Sequence, residues 1–329
     1  MSNQIDVIRS LRNPRLYGPS CAAVRLIETH ISYVLLTGRF AFKIKKAITL
    51  PFLDFRTLDA RRFYCEREVE LNRRLAAGLY LGVVRITGHP SAAQIEGDGP
   101  AIEYAVKMRE FDQDGLLSRV IARDELTTAR VDGLAAAVAD FHARTAQAER
   151  ESPFGRPEAI LDDARANFAA MDGAKGVGAL REWTEREGTR LGQAFAARKQ
   201  DGFVRECHGD LHLGNIALVD GAITLFDCIE FNESMRWIDV MSDVAFLVMD
   251  LLDHRRPDLA ARFLNGYLER SGDYGGLDVL RFYVVYRAMV RAKIAPPQGC
   301  VMPISRCMTF VVVAILAPPT GPYNGSANR

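Results

Sequence analysis

The chain has almost no excess of either charge. Across 329 residues, 42 Lys and Arg stand against 41 Asp and Glu, a formal net charge of +1. That balance gives no bulk electrostatic reason to expect a nucleic-acid or membrane partner, since such surfaces gather ligands through summed charge. It also lacks any C-x-x-C spacing. The six cysteines, Cys21, Cys65, Cys207, Cys228, Cys300 and Cys307, are scattered, which argues against a disulfide framework or zinc ribbon and fits a reducing, cytoplasmic setting. The apolar run near the end, "FVVVAILA" from Phe310, falls far short of the roughly 20 residues a bilayer requires. The opening "MSNQIDVIRSLRNPRLYG" lacks the apolar core of a signal peptide. What is present is a globular composition, 48% hydrophobic and 25% charged, long enough for one two-lobed module or two small domains.

Along the chain, β character comes first. "AAVRLIETHISYVLLTGRFAFKIKK" alternates, with turn signals at Glu28 to Ser32 and at Thr37-Gly38, and reads as an antiparallel meander. "TLDARRFYCEREVELNRRLAAG" predicts a helix stopped at Gly78, and "QIEGDGPAIEYAVKMREF" predicts a hairpin around Gly97 to Gly99. From there the pattern is helical: "VDGLAAAVADFHARTAQAER", "PEAILDDARANFAAM", "LREWTEREGTRLGQAFAARK", "SDVAFLVMDLLDHRRPDLAARFLNGYLERSG" and "LDVLRFYVVYRAMVRAKIA". The tail "APPTGPYNGSANR" has a disordered composition, so residues 1 to about 300 are the expected folded unit and 317–329 the expected loose end, with Phe310 to Leu316 an edge strand or an exposed apolar segment.

One segment interrupts the helices. "CHGDLHLGNIALVDGAITLFDCIEF", residues 207–231, holds two strand candidates, Asn215 to Val219 and Ala222 to Phe226, joined by Asp220-Gly221, a strong hairpin signal. A hairpin brings its ends together, so Asp210, Asn215 and Asp227 converge although 17 positions separate the first from the last. Asp and Asn also cap loops. Capping explains each residue separately but not the set. Magnesium takes a few oxygen ligands together with water and phosphate. Asn215 and Asp227 supply such oxygens, and Asp210 remains as a carboxylate able to accept the proton of an attacking hydroxyl. His208 shares this catalytic loop and reads as its internal brace. His208 and His212 are spaced like a helical metal pair, but Gly209 and Gly214 argue against a helix there. Cys207 reads as structural. Arg236 and Asp239 read as a local ion pair, while Glu230 and Glu233 are left as either solvated or substrate-facing.

"HGDLHLGNI" followed by "LFDCIEF" resembles the H-x-D-x-x-x-x-N plus downstream Asp pattern of the aminoglycoside phosphotransferase (APH)-like branch of the protein-kinase-like fold. "FAFKIKKAITLPFLDFRTLDARRFYCEREVELNRRLAAGLYLGVV", "EYAVKMREF" and "RWIDVMSDVAFLVMDL" extend the resemblance to roughly residues 20 to 295, towards an uncharacterised bacterial subgroup. It implies an α+β, two-lobed fold: a small antiparallel β lobe over 1–104, a hinge at 105–112, a helical lobe over 113–300 and a tail at 301–329. It implies an ATP-dependent, magnesium-requiring O-phosphotransferase acting on a small hydroxylated molecule. In that subgroup a P-loop kinase-like domain often follows. This chain has no G-x-x-x-x-G-K-[ST], so such a domain would be a separate partner.

The same resemblance assigns roles. Lys43 matches the lysine that contacts the α- and β-phosphates, with Lys45 on the same strand face as its nearest competitor. Glu68 shares the inward face of its helix with Leu71 and Leu75 and would pair with Lys43. The stretch Ala105 to Glu110, including Val106 and Met108, matches the hinge whose backbone would pair with adenine. Asp243 matches an aspartate that ties down the catalytic loop. The turn Glu28 to Ser32 departs from the pattern by containing no glycine. Two other readings stay open, a non-catalytic nucleotide-binding regulator and a phosphoryl or nucleotidyl transferase acting on protein. Only eleven residues lie between Asp227 and Asp239, too few for a long peptide-docking loop.

Overall fold

The structure, a computed structural model, describes residues 2–171 and 176–294. The expected loose tail, the apolar run from Phe310, and Cys300 and Cys307 lie outside the described residues. The chain divides into two compact units, one formed by Met1–Thr145 with Glu206–Trp237 and the other by residues 146–205 and 238 onward. The first unit thus takes in chain from both sides of the expected hinge.

The first unit opens with helix α1 (Ser2–Ser10) and the strands β1 (Arg25–Glu28), β2 (Ser32–Leu36) and β3 (Phe40–Lys45). A short ribbon, β4 (Thr49–Leu50) with β5 (Leu53–Asp54), leads into α2 (Leu58–Ala76). Then come β6 (Tyr80–His89), β7 (Ala92–Ile95), β8 (Ala101–Arg109) and the helices α3 (Leu117–Ala122) and α4 (Thr128–Arg144). Six strands form one antiparallel sheet in the order β1-β2-β3-β8-β6-β7. Both faces are covered, which is why Ala41 to Lys45 are all buried rather than alternating. On one face Val7, Ile8 and Leu11, from α1 and the turn after it, pack on Leu35, Phe42, Ile44, Val84 and Ile86. On the other, Cys65, Val69 and Ala76 of α2 pack on Ala41, Tyr80, Val106 and Met108. Each such aliphatic or aromatic side chain contributes about 1.5–3 kcal/mol on burial.

The strand order corrects the hairpin expected around Gly97 to Gly99. β7 pairs with β6 and β8 pairs with β6 on its other edge, so the chain between β7 and β8 passes the end of β6 instead of making a tight turn. The ten-residue β6 was not signalled, because Gly82 and Gly88 interrupt its apolar alternation. Helix α2 was signalled well. Thr57 caps it through a 3.1 Å bond from the Ala60 N–H to Oγ1, and its buried positions 65, 68, 69, 72 and 76 follow the helical period.

The short strand β9 (Val204–Glu206) brings the chain back into the first unit, where the hairpin of β10 (Ile216–Val219) and β11 (Ala222–Leu225) forms, and β12 (Trp237–Asp239) leaves it. The second unit is helical, with α5 (Pro157–Ala166), α6 (Val177–Arg190), α7 (Gly192–Gln200), α8 (Val240–Asp253), α9 (Pro257–Ser271) and α10 (Leu277–Ile294). Two stretches expected as single helices are broken. One break falls at Leu191-Gly192, where glycine is a poor helix former. The other falls where Pro257 pushes Arg256 out of the helical region and Arg255 turns to φ +59°. Among the described residues no helix is long and apolar enough to cross a membrane.

Candidate active site

The loop from His208 to Asn215 is built around a glycine and a histidine. Gly209 has φ +84°, and a Cβ there would fall 2.6 Å from the Met235 carbonyl oxygen, so only glycine can turn the chain between His208 and Asp210. His208 is fully buried. Its Nε2 lies 2.9 Å from the Phe226 carbonyl, which can only accept, so the ring proton sits on Nε2 and Nδ1 accepts the Asp210 N–H at 3.3 Å. Its own carbonyl accepts the Ile229 N–H at 3.0 Å. One residue thereby clamps Phe226 and Ile229 on either side of Asp227.

Asn215 completes the loop. Its Nδ2 donates to the Asp210 carbonyl at 3.0 Å and to Asp210 Oδ2 at 2.9 Å, and its carbonyl accepts the Phe226 N–H at 3.0 Å. The hairpin closes through Asp220 and Gly221 at φ +52° and +80°, both in the left-handed region that a two-residue turn of this hand requires. Asn215 is thus bonded to Asp210 through its side chain and, through its backbone, to the residue before Asp227. His212 caps the short turn after it, its Nδ1 accepting the Gly214 N–H at 3.0 Å, and its Nε2 lies 3.4 Å from Asp210 Oδ2.

Across from this loop, charges of alternating sign run in a chain. Asp227 Oδ1 contacts Lys43 Nζ. That ammonium lies 2.8 Å from Glu68 Oε1, Glu68 Oε2 lies 2.7 Å from Lys45 Nζ, and Lys45 contacts Glu230 Oε1. Asp227 is the one open end, 37% exposed, whereas the Lys45, Glu68 and Glu230 side chains are 0–3% exposed. Burial alone would raise the Glu68 pKa, but Lys43 and Lys45 outweigh it and hold the group down at about 2. For Lys43 burial works against the charge, and Asp227 and Glu68 overcome it, keeping its pKa well above the usual lysine range. Glu230 goes the other way. Burial, with Glu68 adding to it, pushes its pKa up against the pull of Lys45.

Two side chains that the motif did not announce hold Asp227 in place. The residue sits at φ +66°, with its N–H donating to the Tyr80 hydroxyl at 3.2 Å. The next N–H, of Cys228, donates to Asn72 Oδ1 at 2.9 Å, while Asn72 Nδ2 donates to the Glu68 carbonyl. A buried polar residue one turn after Glu68 is the only signal that could have pointed to Asn72; Tyr80, on the unsignalled β6, had none. Glu230 is buried against Lys45, so neither alternative left open for it holds, and Glu233 pairs with Arg236 at 3.0 Å. The expected Arg236–Asp239 pair is replaced. Arg236 goes to Glu206 and Glu233, and Asp239 goes to Arg198.

The expected hinge also differs. Val106 and Met108 lie in the middle strand β8, with β3 on one side and β6 on the other, so their backbone groups serve the sheet. Their buried side chains belong to the sheet face that Lys43 shares. At the turn before β2, the Thr29 N–H bonds the Ser32 carbonyl and the Ser32 N–H bonds Thr29 Oγ1. Asp243 is buried in α8 of the second unit. The oxygen set suits a hard divalent cation: the Asn215 amide nitrogen is committed to Asp210, which turns Oδ1 away from that bond, and Asp227 presents a half-exposed carboxylate.

Residues 56–283 match the model of the phosphotransferase enzyme family. Uncharacterised proteins of Mycobacterium tuberculosis and Mycobacterium bovis are 34% identical over 274 residues, 81% of this chain and 53% of theirs, so the chain spans about half the length of the curated relatives it matches. The fold is similar to that of a choline kinase from Cryptosporidium parvum, with TM-score 0.54 and 13% identity, covering 96% of this chain and 95% of that one. It is also similar to the GDP and kanamycin complex of APH(2")-IIIa, with TM-score 0.51 and 15% identity over 93% of each chain. The aminoglycoside phosphotransferase APH(3'')-Id from Streptomyces rimosus, solved with ADP and streptomycin, gives TM-score 0.50 and 17% identity over 87% of this chain and 98% of its own.

Proposed function

The chain belongs to the phosphotransferase enzyme family, and from that premise we propose that it is an ATP-dependent O-phosphotransferase acting on a small hydroxylated molecule. The observation that carries the reading is the chain of charges from Glu230 to Asp227, whose open end follows directly on Phe226, the residue bonded to the Asn215 that holds Asp210. In this reading the Asp210 carboxylate, oriented by Asn215, takes the proton of the acceptor hydroxyl. Lys43, steered by Glu68, holds phosphate oxygens that do not leave with the transferred group. Asn215 and Asp227 would hold magnesium, which supplies positive charge against the phosphates. Val106 and Met108 would line the base slot with their side chains, and the adenine-pairing backbone would lie beyond Glu110, whose N–H is already bonded to the Arg39 carbonyl. His208 positions the loop and touches no reactant.

A small acceptor is favoured by the short segment after Asp227 and by relatives whose structures hold kanamycin or streptomycin. One observation favours the second reading, a nucleotide-binding regulator. The Thr29 and Ser32 N–H groups, placed where a glycine turn would offer donors to phosphate, are already used within the turn. Calorimetry with millimolar ATP, with and without magnesium, tests the shared premise, since no heat in either condition removes both readings. ATP consumption across a panel of aminoglycosides, amino alcohols and sugars then separates enzyme from regulator.

A further inference from the structure

A phosphate-contacting lysine with one glutamate partner accounts for Lys43 and Glu68. It leaves Lys45 and Glu230 unexplained. Two acid–base partners have been placed almost wholly out of water, one two residues along the strand from Lys43 and the other three residues after Asp227. Removing such charges from water is costly, and a well-packed apolar pair at this position would often be no less stable. Their position relative to Glu68 suggests another reason for them. Lys43 takes Glu68 Oε1 and Lys45 takes Oε2, so the carboxylate is fixed in plane by two cations, and Glu230 fixes Lys45 in turn.

Lys43 itself stands between two acids, Glu68 and Asp227. Only Asp227 can be drawn away by charge arriving from solvent. When phosphate and a divalent cation come to the open end, Lys43 exchanges its contact with Asp227 for phosphate, and its remaining anchor is Glu68. A Glu68 held through one oxygen would swing with it.

We propose that Lys45 and Glu230 are a positioning pair that immobilises Glu68 and so sets where Lys43 is delivered when Asp227 is engaged. This rests on the nucleotide reading of the site. Neither residue touches the reactants. Their effect passes through Glu68 to Lys43.

The test uses the charge-compensated double variant Lys45→Met/Glu230→Gln, because either single change unbalances the buried charges. Two readouts are taken on the whole chain, the dissociation constant for Mg-ATP and the rate at which acetic anhydride acetylates Lys43, followed by peptide mass spectrometry. The double variant is expected to melt close to wild type, to bind Mg-ATP about tenfold more weakly, about 1.4 kcal/mol, and to acetylate Lys43 several-fold faster. In a Lys43→Met background the pair should no longer alter nucleotide affinity, since its effect runs through Lys43. An undiminished effect in that background, or wild-type affinity and acetylation in the double variant, overturns the proposal and leaves the pair a structural one. If wild type itself gives no Mg-ATP binding, the nucleotide reading falls, and the acetylation rate alone decides whether the pair holds Lys43. A double variant that fails to fold overturns the inference too, since the pair would then be holding the fold.

Discussion

Each unit of this protein buries a cluster of acids around basic groups, and the two clusters are built differently. In the second unit Arg198 spreads its guanidinium over two aspartates, Nε and Nη2 to Asp239 at 2.6 and 2.8 Å, Nη1 and Nη2 to Asp273 at 2.8 Å each. Both carboxylates are used further, Asp239 accepting the Met241 N–H at the start of α8 and Asp273 the Gly276 N–H. All three side chains are buried, so the cluster is closed. In the first unit the cations are lysines, point charges on flexible stems, and the chain of contacts ends at a carboxylate that solvent can reach. A planar fork with four of its N–H donors given to two carboxylates suits a fixed joint between α7, α8 and the loop after α9. An open row of ammonium groups suits a site whose contacts are exchanged.

The sharpest way to break that contrast is at its open end. Asp210→Ala should cut turnover by about 10²–10⁴-fold while Mg-ATP binding persists, whereas Asp227→Ala should lose metal-dependent nucleotide binding. Calorimetry and a coupled ATP assay read both, and equal loss of binding in the two variants would mean that base and metal ligand are not separate residues. The closed cluster should answer in stability instead. Arg198→Met leaves two buried aspartates without their cation and should destabilise by about 3–5 kcal/mol in chemical denaturation; a change under about 1 kcal/mol would show the cluster to be as loose as the other.

Within the open cluster the two glutamates should respond to pH in opposite senses. Glu68, held at about 2 in the folded protein against an ordinary 4.5, contributes stability that is fully present above pH 4.5 and is lost as pH falls towards 2. Glu68→Gln should therefore cost about 1–3 kcal/mol at neutral pH, with the gap to wild type closing over that window. Glu230 has its pKa raised by burial, so its charge opposes folding as pH rises through the folded value. Glu230→Gln should cost less than Glu68→Gln at neutral pH, and urea titrations from pH 3 to 8 giving the reverse order would undo the assignment. The smallest effect belongs to Tyr80→Phe, which removes one hydrogen bond to the Asp227 N–H and should weaken Mg-ATP binding by about 0.5–1.5 kcal/mol with little change in melting.

Local chemistry was legible in the sequence wherever it is carried by residues close together in the chain. Asp220-Gly221 announces its own turn, the helical period of α2 puts Glu68 inward, and the hairpin brings Asp227 back to Asn215. Where a pattern was ambiguous, long-range pairing decided it. β7 and β8 flank Gly97 to Gly99 and yet do not pair, because β6 lies between them. The same pairing turned Val106 and Met108 from open hinge into middle strand.

By itself, then, the sequence determined the β-then-helical order of most elements, the Asp220-Gly221 hairpin and the inward face of α2 that carries Glu68, since each follows from spacing along the backbone. Tertiary structure alone decided that Glu68 would be shared by two lysines, that Glu230 would lie buried against Lys45, and that Asn72 and Tyr80 would hold the strained Asp227. Those contacts join residues up to 185 positions apart. A charged side chain carries no mark in the sequence of whether it will meet water or another charge; only packing, which removes the water, settles that.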